Sequence, residues 1–352
     1  MGKCLVTKLN GVTNNDSLLV IGEMRVKFYK ETNPTKRSRT LRIGTTGQIT
    51  LKVVGDGNFT NENLTANLGK SVVVSNEIKS VYVSNSDVEV SISDKYNFYS
   101  ISDIVIPSES AGLDINRVVD LSDLKYNKLL QQINLTASRI EGDIDSLSNL
   151  VNLTALSLSN AFGDIKSLGK LTSLTTLLLN GKNIFGNLSS LVNLSKLNNL
   201  GVRETSIMGD ISSLSGLKAL NTFNVSNVTG DISTLKTCVE LTSLQFYKAS
   251  ISGDLAVLPD KANYLYLGDS KNSAFSWSSR NAAAKIIAIW GSPKINNIDK
   301  MLQDQAACVK GIDTSSDIYH KTISATGTRT SASDAAIQTL QSKGYTVSIT
   351  PA

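Results

Sequence analysis

The chain has 352 residues, 41% apolar and 18% charged, with a formal net charge of +5. That length and apolar content exclude a disordered chain and allow two or three domains, each with its own core. The charged share is below the roughly 25% of ordinary globular domains, so neutral polar residues must cover the surface, as suits an extracellular or particle-exposed protein. Cys4, Cys238 and Cys308 lie too far apart for a disulfide framework or a metal-binding spacing. No apolar run approaches the roughly 18 residues of a membrane span.

Residues 1–100 read as a β-rich domain. Leu18–Ile21, Met24–Phe28, Gln48–Val53, Ser71–Val74 and Ser80–Val83 are short, often alternating apolar runs separated by turn residues such as Asn14-Asn15 and Gly55-Asp56-Gly57. A sandwich-like fold is expected. Residues 1–52 hold ten Lys/Arg against three Asp/Glu, leaving 25 basic and 27 acidic residues for the rest. The basic stretch Lys30–Arg42 reads as a solvated hairpin loop. A nucleic-acid partner is not expected, because no aromatic residues interleave with it. The opening Met1-Gly-Lys-Cys-Leu-Val-Thr-Lys-Leu-Asn-Gly11, with Ile21-Gly-Glu-Met-Arg25 after it, resembles the start of proteins of Bacteroides and their crAss-like bacteriophages. That resemblance implies an N-terminal anchoring or oligomerisation domain, contacts with other virion proteins, and a distal recognition module. It also fits an N-terminus that enters a strand pattern without a secretory leader, since a phage protein reaches the outside by assembly and lysis. Residues 101–116 read as a linker.

From 117 to 268 the chain repeats. A Gly-Asp/Asn-Ile/Leu triplet recurs at Gly142, Gly163, Gly186, Gly209, Gly230 and Gly253, with spacings of 21, 23, 23, 21 and 23. Apolar residues follow every third position, as in Ile165, Leu168, Leu171, Leu174, Leu177 and then Leu179. A period of three suits 3₁₀ or irregular coil better than α-helix. Cys238 occupies a position of this series otherwise held by Leu and is expected in the core. The L-x-x-L-x-L segments Leu153–Leu158, Leu174–Leu179, Leu197–Val202 and Leu241–Phe246 resemble the leucine-rich-repeat family.

The resemblance implies a solenoid with a parallel strand in each coil, both strand leucines inward, and partners bound on the concave strand face. One departure stands out. The position three residues after the second strand leucine, usually Asn in the family, holds Ser138, Lys182, Thr205 and Ala249. A looser, variable turn is expected there. Carried over by position, Arg203, Asn224, Gln245, Tyr247, Tyr264 and Tyr266 form a candidate ligand-binding face for a protein or glycan, aromatics and amides being suited to both. The competing reading is that the tyrosines cover the junction with the C-terminal region.

Residues 269–352 read as an α/β cap. Lys285–Trp290, Ile323–Ala325 and Thr346–Ile349 are expected strands. Asn297 to Cys308 is a helix, and a capping box at Ser331 and Asp334 starts another over Ala335–Lys343. The overall class is therefore α/β, rich in β. No catalytic motif, metal set or cofactor site is evident, and His320 is the single histidine. The triplet aspartates read as turn residues rather than calcium ligands. The expected function is a non-enzymatic virion fibre or appendage, commonly a homo-oligomer, that recognises a host surface protein or glycan. The alternatives are a bacterial cell-surface adhesin and an intracellular scaffold or effector.

Overall fold

The computed structural model describes nine strand backbones between Gly22 and Val105, and then residues 114–268 (without 126, 127, 129 and 137), 274–309 and 318–351. Leu18–Ile21, the basic stretch before Thr40 and the opening Met1–Gly11 lie outside the described residues. The chain divides into two compact units, Met1–Ile184 and Phe185–Ala352.

In the first unit, Gly22–Phe28, Val88–Asp94, Ile49–Gly55 and Ser71–Val74 pair antiparallel in that order. Thr40–Thr45 lies between Ile78–Val83 and Ile101–Val105, again antiparallel. The segment 101–116 contains Ile101–Val105 and the start of Asp114–Asp120. These two strands lead directly into the repeat. Ile101–Val105 adds in parallel to Gln132–Leu135, and Asp114–Asp120 to Ser138–Glu141. Each N-terminal sheet is thus continuous with one of the two strand rows of the coils. Gln132–Leu135, Ala155–Ser159 and Thr176–Asn180 then stack in parallel and in register.

In the second unit the parallel row runs through Asn199–Val202, Thr222–Ser226, Ser243–Tyr247, Tyr264–Gly268, Ala288–Trp290, Thr322–Thr326 and Thr346–Thr350. The strand stack does not end with the last triplet.

Each coil has the inward strand residues and capped turn that the sequence pattern implies. In Thr222–Ser226, Phe223 and Val225 are buried while Asn224 points out, because alternate residues of a strand face opposite sides. Five or more apolar side chains per coil are fully buried, for example Ile211, Leu214, Leu217, Leu220, Phe223 and Val225, each worth about 1.5–3 kcal/mol on transfer from water. Phe223 and Phe246 of adjacent coils meet edge to face at 5.6 Å. Cys238 is fully buried on its leucine position.

The triplet aspartates cap 3₁₀ turns. Asp143, Asp164, Asp210, Asp231 and Asp254 each accept, at 2.8–2.9 Å, from the backbone N–H two residues on, and Asn187 does the same. Asp120 makes the identical bond to Ser122. It marks an earlier copy that the sequence conceals, because Val119 stands where the other copies have Gly.

The turn after the strand is partly regular. Asn160, Glu204, Asn227 and Lys248 occupy one equivalent position, all left-handed with φ of 51–59°, whereas Gly181 at that position has φ of 137°. In the absence of the family Asn, Thr205 supplies the local hydrogen bonds. Its buried hydroxyl donates to Val202 O at 3.0 Å and accepts from Ile207 N at 3.4 Å, and Asn227 Nδ2 donates to Thr205 O at 2.9 Å. The two extra residues of the long copies add one more inward side chain: Ile184, Ile207 and Ile251 are all buried.

Beyond Gly268, among the described residues, two α-helices join the 3₁₀ turns and form a helical cap. α1 spans Ile298–Ala307 and buries Ile298, Met301, Leu302 and Gln305, the i, i+3, i+4, i+7 face of an amphipathic helix. Gln305 acts as a surrogate strand: its amide donates to Ile287 O at 2.9 Å and accepts from Ile287 N at 3.0 Å. α2 spans Asp334–Ser342. The expected capping box does not form. A 3₁₀ turn, Ser331–Ser333, precedes the helix and is capped by Thr330, while Asp334 pairs with Arg329. The reason is local: Asp299 of α1 accepts from the Thr330 and Ser333 hydroxyls, both at 2.6 Å, and holds the chain in the 3₁₀ geometry.

Candidate functional site: the outward strand face

The six candidate residues fall on four consecutive coils of the second unit. Strand register places Asn224 beside Gln245 and Gln245 beside Tyr266, with Ser226, Tyr247 and Gly268 forming the next rung. Arg203 follows Asn199–Val202, one coil earlier.

Three of these side chains form a stack. The Arg203 guanidinium lies over the Tyr247 ring, 4.2 Å from its centroid. The opposite neighbour of Tyr247 is Tyr266, with ring centroids 4.8 Å apart and planes tilted by 37°. A cation over a tyrosine face is attracted by the ring quadrupole. The tyrosine pair depends on Gly268, because the Tyr266 ring lies over that residue and a β-carbon there would collide with it. Burial pushes the Tyr247 phenol up from its ordinary value, Arg203 draws it down, and Tyr266 adds to the rise.

Amides lie alongside the stack. Gln245 Oε1 accepts from the Tyr247 hydroxyl at 3.1 Å and from Asn224 Nδ2 at 3.4 Å. Asn224 Oδ1 is shielded and has no hydrogen-bond partner, which is unusual for a buried polar atom. Arg203 has only a loose, exposed ion pair with Glu204 at 3.9 Å.

Tyr264 behaves differently. It points to the same side of its strand as Tyr266, yet it is only 7% exposed and stacks on His320, ring centroids 4.5 Å apart. It packs against the cap and offers no open ring to a ligand. This also explains His320, which sits in the 3₁₀ turn Ile318–Lys321 as a packing partner.

The structure adds Trp290, which follows Tyr266 in register on the next strand and is half-buried. Sequence reasoning passed over it because Gly291 follows, so no L-x-L pattern flags Ala288–Trp290 as another rung. Among the described residues no group of His, Cys, Asp and Glu could hold a metal ion, and no helix is long and apolar enough to cross a membrane. Around Tyr247 the face offers ring stacking, amide hydrogen bonding and the Arg203 guanidinium.

No protein-family model matches the sequence, and no curated protein matches it. Several solved structures are similar in part. The leucine-rich-repeat ectodomain of a plant membrane receptor kinase from Arabidopsis thaliana, in complex with Casparian strip integrity factor 2, is 20% identical over 66% of this chain, with a TM-score of 0.43. This chain spans 28% of that ectodomain's length. An internalin from Listeria monocytogenes is 22% identical over 71% of this chain and 82% of its own, with a TM-score of 0.43. A plant ice-binding protein is 14% identical over 61% of this chain and 85% of its own, with a TM-score of 0.42. Likenesses of this size carry no ligand from those proteins to this one, whose repeat is established by its own coils.

Proposed function

We propose that this chain is a non-enzymatic recognition protein that binds a protein or glycan through the outward strand face around Tyr247 and Tyr266. The observation that supports this reading best is the Arg203–Tyr247–Tyr266 stack. It holds three large side chains in fixed positions on a half-buried face, so little conformational entropy remains to be lost on binding. Tyr, Trp and Arg are also the residues that dominate interface energetics. Replacing Tyr247 or Tyr266 by Ala should lower binding of the labelled protein to intact Bacteroides cells at least tenfold, as read by flow cytometry, with an unchanged far-UV circular dichroism spectrum. Unaltered binding by both folded variants would remove the face from the proposal.

We further place the protein on a virion, as a fibre or appendage anchored to other virion proteins through residues 1–100. The N-terminal resemblance and the weakly charged, Ser/Thr/Asn-rich composition support this reading. Peptide mass spectrometry of purified phage particles tests it. A fixed stoichiometry to the major capsid protein is expected. Absence from particles with presence in the bacterial surface fraction would favour an adhesin instead.

A further inference from the structure

Resting on the binding-face reading above, we infer that the ligand carries a carboxylate on an otherwise neutral polyol, in other words an acidic sugar, and that Arg203 receives the carboxylate.

In the second unit the two outward positions of the coil strands are occupied by Gly201, Asn224, Gln245 and Tyr266, and by Arg203, Ser226, Tyr247 and Gly268. Arg203 is the one charged residue in both rows, and neither row contains a carboxylate. A lone guanidinium among hydroxyls, amides and tyrosines matches a molecule that is mostly hydroxyl with one anionic group.

Geometry adds the second step. The Arg203 side chain is 42% exposed, and its guanidinium carbon sits 4.2 Å from the centroid of the Tyr247 ring. A guanidinium this exposed keeps an edge of N–H donors open to a ligand. That edge is the fork that pairs with a carboxylate through two parallel hydrogen bonds. Among the described residues the carboxylate paired with it is that of Glu204, which is 3.9 Å away and itself 64% exposed, a loose contact that a ligand carboxylate can displace. Gln245 and Asn224 stand beside the stack as amide partners for sugar hydroxyls. A small turn of the Asn224 amide gives its unmatched Oδ1 a donor from the ligand.

The test is calorimetric titration of the full chain with a glucuronate-terminated trisaccharide and with the same trisaccharide reduced to its neutral, glucose-terminated form. The acidic form should bind at least tenfold more tightly at low salt, and the difference should shrink as salt rises. Arg203→Gln should abolish the preference, so that the acidic and neutral forms bind alike. Arg203→Lys should recover only a fraction of it, because a point charge neither stacks nor forks in the same way. Equal binding of the two trisaccharides by the wild-type chain, or an undiminished preference in Arg203→Gln, overturns the inference. So does a complete lack of saccharide binding. In each case the binding-face reading is judged separately by whether Tyr247→Ala still weakens attachment to cells.

Discussion

Gly230 lies directly over the carboxylate of Asp210, one coil back: a β-carbon on Gly230 would come within 2.5 Å of Asp210 Oδ1. The same glycine has φ of +126°, a region closed to L side chains. The Gly-Asp-Ile triplet is thus a stacking device. The Asp of one coil caps its own 3₁₀ turn, and the Gly of the next coil leaves room for that cap. Gly230→Ala should cost about 2–4 kcal/mol from backbone strain and overpacking together. Asp210→Ala alone should cost about 0.5–2 kcal/mol, as for other lost caps. The double variant should lose less than the sum, since the clash has no partner once the carboxylate is gone. Urea unfolding of the four proteins measures the coupling, and strict additivity would contradict the stacking account.

Thr205 ties the turn after its strand to the backbone. Thr205→Val keeps the shape but removes the hydroxyl that serves Val202 O and Ile207 N. A loss of about 1–3 kcal/mol is expected from the two buried backbone groups left behind. An unchanged denaturation midpoint would show that the turn holds without it.

Arg280 ties the start of the cap together. Its buried guanidinium donates to the carbonyls of Ala256, Leu258, Pro259 and Ala262 at 3.0–3.3 Å, and its Nε to Lys285 O at 3.1 Å. Burial draws its pKa down, with Cys308 and Asp260 opposing. Arg280→Met should destabilise the chain by at least about 3 kcal/mol, because five carbonyls lose a shared donor. Arg280→Lys should be nearly as damaging, since three donors on one nitrogen cannot span them. Thermal unfolding would distinguish these outcomes from a neutral substitution.

The two described cysteines are protected. Burial pushes the Cys238 thiol above its ordinary 9.0, with the Thr237 hydrogen bond pulling the other way, and it raises Cys308 similarly, against Arg280. A thiol-specific reagent at pH 8 should leave both unlabelled until denaturant is added, as read by peptide mass spectrometry. The linked stability is full below pH 9 and declines as pH rises past it, because the unfolded thiols ionise first.

Asp299 provides an acid-sensitive tie between α1 and the turn before α2. Hydrogen bonds from Ser333 and Thr330 hold its carboxyl below the ordinary 3.8. A depressed carboxyl stabilises the fold above its unfolded pKa, and that contribution is lost as pH falls below 3.8 through the folded value. Asp299→Asn should therefore flatten the pH dependence of unfolding in this window, and a profile identical to wild type would exclude the tie.

The repeat was legible because its physical cause is periodic. Leucine every third position, two inward residues per strand and Gly-Asp at each return are set by geometry that every coil shares, and so is the burial of Cys238. The helices of the cap were also legible to within a residue or two. The first copy at Asp120 was not, since Val119 replaces its glycine. Nor was the true cap of α2, because Asp299, which determines it, lies more than thirty residues away in the chain.

The candidate face divides in the same way. The amino-acid pattern alone determined which side chains point outward, since alternation along a strand is local. Only the tertiary structure decided what they do there. Tyr264 and Tyr266 are two residues apart on one face, yet His320 covers the first while Gly268 lets the second lie against Tyr247. Arg203, some forty residues from Tyr247 in sequence, reaches that ring because parallel in-register pairing sets their two strands on either side of Thr222–Ser226, close enough for a long side chain to span. Such contacts depend on the stacking of coils of unequal length, 21 and 23 residues, which no single repeat encodes.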